Sequence, residues 1–323
     1  MRKKIKYLII IGILILVFFI SLKTGKYPLS FEKIITGDSL QLKVFLTLRL
    51  PRTCMGIIGG IGLGIAGMIY QTVFSNPLAS PDIVGVSSGA SVGAAIAILF
   101  LVNNPLCVTT FAFMGSIIAI LLSLLISALA SHKGNISIVL SGLIIHSLSQ
   151  TVLMILKTIA DPEQELAAIE YWIMGSLNAI TLEQLPMAGF VVITCSIVLI
   201  LLYRQVLLLS LDDGEAMLLG VHVRKMRLLI LLLATLMVAS IVSVTGIISF
   251  VGLLAPHIGR MFIRENSVST LVLSGAVGGI ILGIADILSR SISGSELPVS
   301  VFTSLIGAPF LLILLLDRSK SYE

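Results

Sequence analysis

Apolar residues run through this chain in blocks longer than any surface helix or strand requires. Residues 53–81, 83–131, 134–156, 184–203, 228–259, 266–285 and 297–316 contain no Asp, Glu, Lys or Arg, and residues 8–22 form another such block at the front. A helix rises 1.5 Å per residue, so about 20 apolar residues cross the hydrocarbon core of a bilayer. The longest blocks exceed that length and are broken by Gly, Pro and Asn, where a chain can turn between spans. Dividing them there predicts an all-α polytopic membrane protein with about ten transmembrane helices in one domain, residues 1–323.

Composition excludes a water-soluble fold, since 57% of residues are hydrophobic, 11% are charged and the mean hydropathy is +1.12. So few charges cannot cover a soluble surface. The net charge of +5 reflects topology and contact with anionic lipid, and gives no argument for nucleic acid. Arg2, Lys3, Lys4 and Lys6 precede the first span, which is also how a signal peptide begins. No small-x-small cleavage site follows Leu22, so the span reads as a retained anchor with a cytoplasmic N-terminus. Arg318 and Lys320 place the other end inside as well, which requires an even number of spans. His132, Lys133, Arg204, Arg224, Lys225 and Arg227 then fall inside, and Asp161, Glu163, Glu165 and Glu170 outside. One loop breaks the rule. Lys23, Lys26, Lys33, Lys43, Arg49 and Arg52 lie between the first two spans and should face outward, which invites a functional explanation.

Within the spans, Gly56, Gly59, Gly60, Gly62, Gly64 and Gly67 allow close helix approach where lipid provides no hydrophobic drive for association. Two polar interruptions stand out. Asn76-Pro-Leu-Ala-Ser-Pro-Asp82 leads into a stretch of small residues from Gly85 to Gly93, and Gly246 to Arg260 couples glycine to a proline break at Pro256. One break in each half is a pattern of transporters with internal repeats. Cys54, Cys107 and Cys195 have no metal-ligand spacing and read as small buried hydrophobes. His146 reads as a packed or cavity-facing residue, His222 as part of a polar loop and His257 as local structure. Asp286 lies inside an apolar span, where an unpaired carboxylate is costly. A partner on a neighbouring helix or Arg290 is expected, with proton coupling as the alternative. Residues 211–221 read as a short helix capped by Asp212 or Asp213, with Ala216, Leu219 and Gly220 forming a compact apolar face.

A series of ordered motifs covers almost the whole chain: Arg49-Leu-Pro-Arg52, Asn76-Pro-Leu-Ala-x-Pro-Asp82-Ile-x-Gly85-Val-Ser-Ser-Gly89-Ala90, and Leu140-Ser-Gly142. Trp172-Ile-Met-Gly175-Ser176-Leu177, Leu219-Gly220-Val221, Phe250-Val-Gly-Leu-x-Ala-Pro256-His257-x-x-Arg260, Glu296-Leu-Pro298 and Gly307-Ala-Pro309-Phe310 continue it. The chain thereby resembles the FecCD-type permease subunits of ABC importers for iron siderophores, haem or cobalamin. The resemblance implies a type II ABC importer permease fold in the bacterial cytoplasmic membrane, with both termini cytoplasmic. It implies a second permease copy or paralogue, an ABC ATPase and an extracytoplasmic substrate-binding protein as partners.

By the same resemblance, Arg49, Arg52 and Arg290 receive acidic residues of the binding protein, which would explain the basic loop. The cytoplasmic coupling loop 210–227, with Ala216, Leu219, Gly220 and Val221, is assigned to the ATPase. Asn76, Leu78, Asn135 and Ser137 are assigned to the inner gate. No phosphate-binding motif occurs, so ATP would be used by the partner and this chain itself would carry no cofactor or catalytic residue. A gradient-driven carrier is the alternative, disfavoured by the scarcity of carboxylates in the spans. An intramembrane enzyme lacks any metal motif or acidic pair in this sequence.

Overall fold

The computed structural model describes residues 2–319, apart from 36, 102–103, 131–134, 264 and 293–295. Ten principal helices follow one another: α1 (Arg2–Lys23), α2 (Leu50–Val73), α3 (Val86–Phe100), α4 (Pro105–Leu129) and α5 (Asn135–Ile159). The second half contains α6 (Gln184–Leu201), α7 (Val223–Thr245), α8 (Val251–Phe262), α9 (Val268–Ser291) and α10 (Val299–Ser319). Among the described residues, seven helices are long and apolar enough to cross a membrane, and Val86–Phe100 and Val299–Leu314 are shorter apolar helices. With the half-length α8 they make up the expected ten. Shorter helices at Glu165–Ile173 and Asp213–Leu218 lie in the connections.

The small residues of α2 put it at the centre. Most of its length is buried, with α9, α8, α7 and α6 around it, whereas α1, α4 and α5 leave most of their apolar surface exposed. Gly60 meets Gly278 of α9 and Gly67 meets Gly252 of α8 so closely that a Cβ at either position would run into the opposing backbone. Close packing replaces the hydrophobic drive that lipid cannot supply. Two polar bonds support this core: Tyr70 OH lies 2.6 Å from Thr235 Oγ1, and Gln71 Nε2 donates to the Leu253 carbonyl at 3.1 Å.

The second interruption departs from expectation. Pro256 sits inside α8. The break lies upstream, where Gly246 (φ 69°) ends α7 and Phe250 (φ 67°) starts α8. Proline costs α8 the bond to the Gly252 carbonyl, which lies against Gly67.

Both terminal helices reach the Arg52 end of the bundle, α1 by its last residues and α10 by its first. The Thr24 carbonyl at the end of α1 accepts from Arg290, and Val299 N at the start of α10 donates to the Gly175 carbonyl. At the other end of α1, Lys6 Nζ donates to the Phe262 carbonyl. The first residues of α1 and the last of α10 therefore lie at the end of the molecule opposite Arg52.

Candidate functional sites at the two ends of the bundle

Arg49 and Arg52 stand at the N-terminal end of α2, where a π-helical stretch, Phe45–Arg49, runs into it. Arg290 reaches the same place from the last turn of α9. All three are buried, at 7%, 6% and 4% exposure. Asp286, one turn before Arg290, bridges two of them: Arg52 Nε donates to Oδ1 at 2.7 Å, and Arg290 Nη2 forms an ion pair with Oδ2 at 2.7 Å. Arg52 Nη1 also donates to Glu296 Oε2 at 2.6 Å and to Asn178 Oδ1 at 3.3 Å. Arg290 donates to Ser21 Oγ at 2.5 Å, and Ser21 is 2.9 Å from Thr53 Oγ1. Asp286 thus has both partners that its sequence position suggested, one on a neighbouring helix and one on its own.

Arg49 differs from the other two. Its guanidinium donates to the carbonyls of Thr24 and Tyr27, and among the described residues it has no carboxylate partner. It lines a cavity of about 170 Å³ together with Tyr27, Arg52, Asn178, Arg290 and Glu296. Lys26 lines the cavity as well, so its wall and the groups bonded to it carry four cations, Lys26, Arg49, Arg52 and Arg290, beside the carboxylates of Glu296 and Asp286, and positive charge predominates. The adjoining loop is clasped in place: Ser176 N donates to the Thr245 carbonyl at 2.7 Å, and Gly246 packs against the Trp172 carbonyl. Sequence reasoning found the arginines and Asp286 but missed Glu296 and Asn178 as partners. Glu296 carried a usable signal, as an acid in a quoted motif beside an otherwise basic site.

The C-terminal end of α2 lies about 36 Å away, for 24 residues at 1.5 Å each. Ser75, with φ 48°, turns the chain out of the helix; Asn76 N then donates to the Gln71 carbonyl and Leu78 N to Asn76 Oδ1 at 2.9 Å. This left-handed helix ending leaves Asn76 and Leu78 exposed. Ser137 is buried in the first turn of α5, and the side chain of Asn135 lies outside the described residues. α5 meets the first interruption through Gly142, against the Ile83 carbonyl. The two interruptions converge on a cavity of about 340 Å³ whose walls include Leu78, Asp82, Ser87 and Phe250.

Ser75 Oγ reaches the Ser210 carbonyl at 3.1 Å, which ties this turn to the loop before Asp213–Leu218. The expected capping role goes to neither aspartate: Asp212 occupies the cap position without a side-chain bond, and Asp213 pairs with Arg227 at 2.7 Å. Ala216 is 0% exposed and packs inward, so it forms no part of an outward face. A six-residue helix turns only part of its surface outward, and here Met217, Leu218 and Leu219 occupy that part, Leu218 at 90% exposure. Gly220 (φ 82°) ends the turn, and Val221 N closes it onto the Ala216 carbonyl at 3.1 Å. His257 bonds the Leu253 carbonyl one turn back, in keeping with a local role.

The model of the FecCD transport family matches residues 13–317. The chain belongs to that family. FecCD relatives cover it nearly end to end. The molybdate import system permease protein MolB of Haemophilus influenzae is 34% identical over 92% of this chain and 91% of its own. The Fe(3+)-citrate import system permease protein YfmE of Bacillus subtilis is 35% identical over 97% and 95%, and the hemin transport system permease protein HmuU of Yersinia pestis 33% over 93% and 92%. A solved chain described as an inward-facing, metal-chelate type ABC transporter superposes with a TM-score of 0.88 at 33% identity, covering 95% of this chain and 97% of that one. PsaBC from Streptococcus pneumoniae, at TM-score 0.56 and 19% identity over 82% and 89%, shares the fold. The FecCD chain described here is accordingly a multi-span ABC importer permease, a transport component with a type II importer fold.

Proposed function

We propose that this permease carries an iron–siderophore complex, or haem or cobalamin, into the cytoplasm by alternating access, driven by ATP hydrolysis on a separate subunit. Relatives named for hemin and Fe(3+)-citrate import support a chelated metal over the bare oxyanion named in MolB. On this reading the Arg52 end faces outward, and the 213–218 helix, both termini and the 210–227 loop are cytoplasmic, in the bacterial cytoplasmic membrane. A second permease copy or a paralogue completes the pathway, with the Asn76–Leu78 turn and the Asn135–Ser137 segment at its inner gate.

The observation that carries the proposal is Arg49, a buried cation held by backbone carbonyls beside a cavity whose wall is predominantly positive. A carboxylate from a substrate-binding protein would balance it through the planar guanidinium. Arg52 and Arg290 are already engaged by Asp286 and Glu296, and become available to the binding protein as that network opens. Similarity to an inward-facing chain supports this as the state with the outer end closed. At the other end, exposed Met217, Leu218 and Leu219 supply the apolar face of the ATPase contact.

Reconstitution with candidate ATPase and binding-protein subunits tests the reading. Arg49→Glu is expected to abolish stimulation of ATP hydrolysis by the binding protein, together with uptake, while the permease still assembles with its ATPase. Uptake that continues without ATP would replace the importer with a gradient-driven carrier.

A further inference from the structure

We propose that the groove between α4, the start of α7 and the 213–218 helix is a binding site for an anionic phospholipid of the cytoplasmic leaflet. The groove encloses about 500 Å³, a volume typical of sites that take a small organic ligand. Leu121 and Leu125 of α4 and Leu228 of α7 form its apolar wall, and Met217 borders it from the short helix. Arg224 and Arg227 line the same space, opposed by Asp213.

The charges do not balance. Arg227 is 7% exposed; its Nη2 pairs with Asp213, while its Nε is buried without a hydrogen-bond partner. Arg224 is exposed at the mouth. Two guanidinium groups against one carboxylate leave a single positive charge, which a phosphodiester monoanion neutralises. An orphaned N–H on a buried cation is costly, and a turn of the Arg227 guanidinium toward the groove would give it a phosphate oxygen in a charge-assisted bond.

Depth decides between occupants. Leu121 lies eight residues before the end of α4 at Leu129, about 12 Å along the helix axis. An acyl chain in the leaflet reaches that depth, whereas a soluble ATPase sits on the surface beyond the helix ends. The lipid would bridge α4, α7 and the short helix, with its phosphate on Arg224 and Arg227 and a chain along Leu121, Leu125 and Leu228. Basic pockets between transmembrane helices on the cytoplasmic side are suited to this chemistry. The coupling helix would then be seated in part by the membrane itself. The inference rests on the orientation proposed above.

The test is native mass spectrometry of the purified permease, titrated with phosphatidylglycerol or phosphatidylcholine. Wild type is expected to retain phosphatidylglycerol more strongly, by about fivefold for each arginine engaged. Arg224→Gln should lower that preference by about the same factor. Arg224 is exposed, so this variant is expected to fold, and Leu125→Trp should reduce retention by filling the groove. Equal retention of the two lipids by wild type overturns the proposal, as does phosphatidylglycerol binding that neither variant changes. Release of the lipid when the ATPase subunit binds overturns it too, by showing that the ATPase covers the groove. The readout needs neither transport nor ATP hydrolysis, so a permease that binds the lipid but fails in uptake would break the importer reading alone.

Discussion

The two ends of α2 handle exposure in opposite ways. At its start, three arginines and Asp286 are withdrawn into the protein beside a half-buried Glu296, with Arg52 held at 2.6 and 2.7 Å by residues more than 230 positions away in sequence. Beyond its end, leucine and methionine side chains stand outside the protein on a six-residue helix. A buried charge needs every partner in place, so the first region opens or closes as a unit. An exposed apolar face costs little alone and gains when a partner covers it, so the second is a surface waiting for contact. On the orientation proposed above, the contrast suits a machine latched from within at the Arg52 end and grasped from without at the short helix.

The strongest way to break this comparison is Asp286→Asn. It leaves Arg52 and Arg290 without their shared carboxylate, and a loss of about 3–5 kcal/mol is expected, read as a lowered Tm of the detergent-solubilised protein. An unchanged Tm would mean that the network is not a latch. Next come two glycines with positive φ. Gly246→Ala adds a clash with the Trp172 carbonyl to about 1–3 kcal/mol of backbone strain, whereas Gly220→Ala, with open space around it, should cost about 1 kcal/mol. Equal shifts in Tm would show that the clasp at Gly246 is no tighter than the turn at Gly220. A double-mutant cycle on Asp213 and Arg227 should give a smaller coupling, about 0.2–1 kcal/mol, because Asp213 is nearly half exposed. The smallest effect on stability, within about 0.5 kcal/mol, is expected for Leu218→Asp, although it should abolish stimulated ATP hydrolysis in the assembled transporter. A folded variant with normal stimulation would remove the short helix from the ATPase contact.

Much of this architecture was legible because bilayer thickness imposes one length on every span and bars charge from its middle. The uncharged blocks became helices, and the glycines of α2 became its contacts with α8 and α9. The basic loop that offended the charge rule led to Arg49 and Arg52. Their partners were not legible, since nothing local to Arg52 indicates that Asp286 and Glu296 will face it after folding. Ala216 was misread for a related reason: six helical residues carry too little periodicity to tell the inward face from the outward one. Pro256 reads as a break in the sequence because proline ends helices in water, while the break at Phe250 rests on a backbone conformation that phenylalanine rarely adopts.

The distance in sequence between Arg52 and Asp286 also sets a problem in biogenesis. The ribosome adds about 5–20 residues per second, so the 234 residues between them take on the order of 10 to 50 seconds to make. For that interval the newborn α1–α2 hairpin carries Arg52 without either of the carboxylates that hold it in the folded chain. Only when α9 arrives can Asp286 hold α2 and Arg290 hold the end of α1, so the last third of the chain completes the packing of the first.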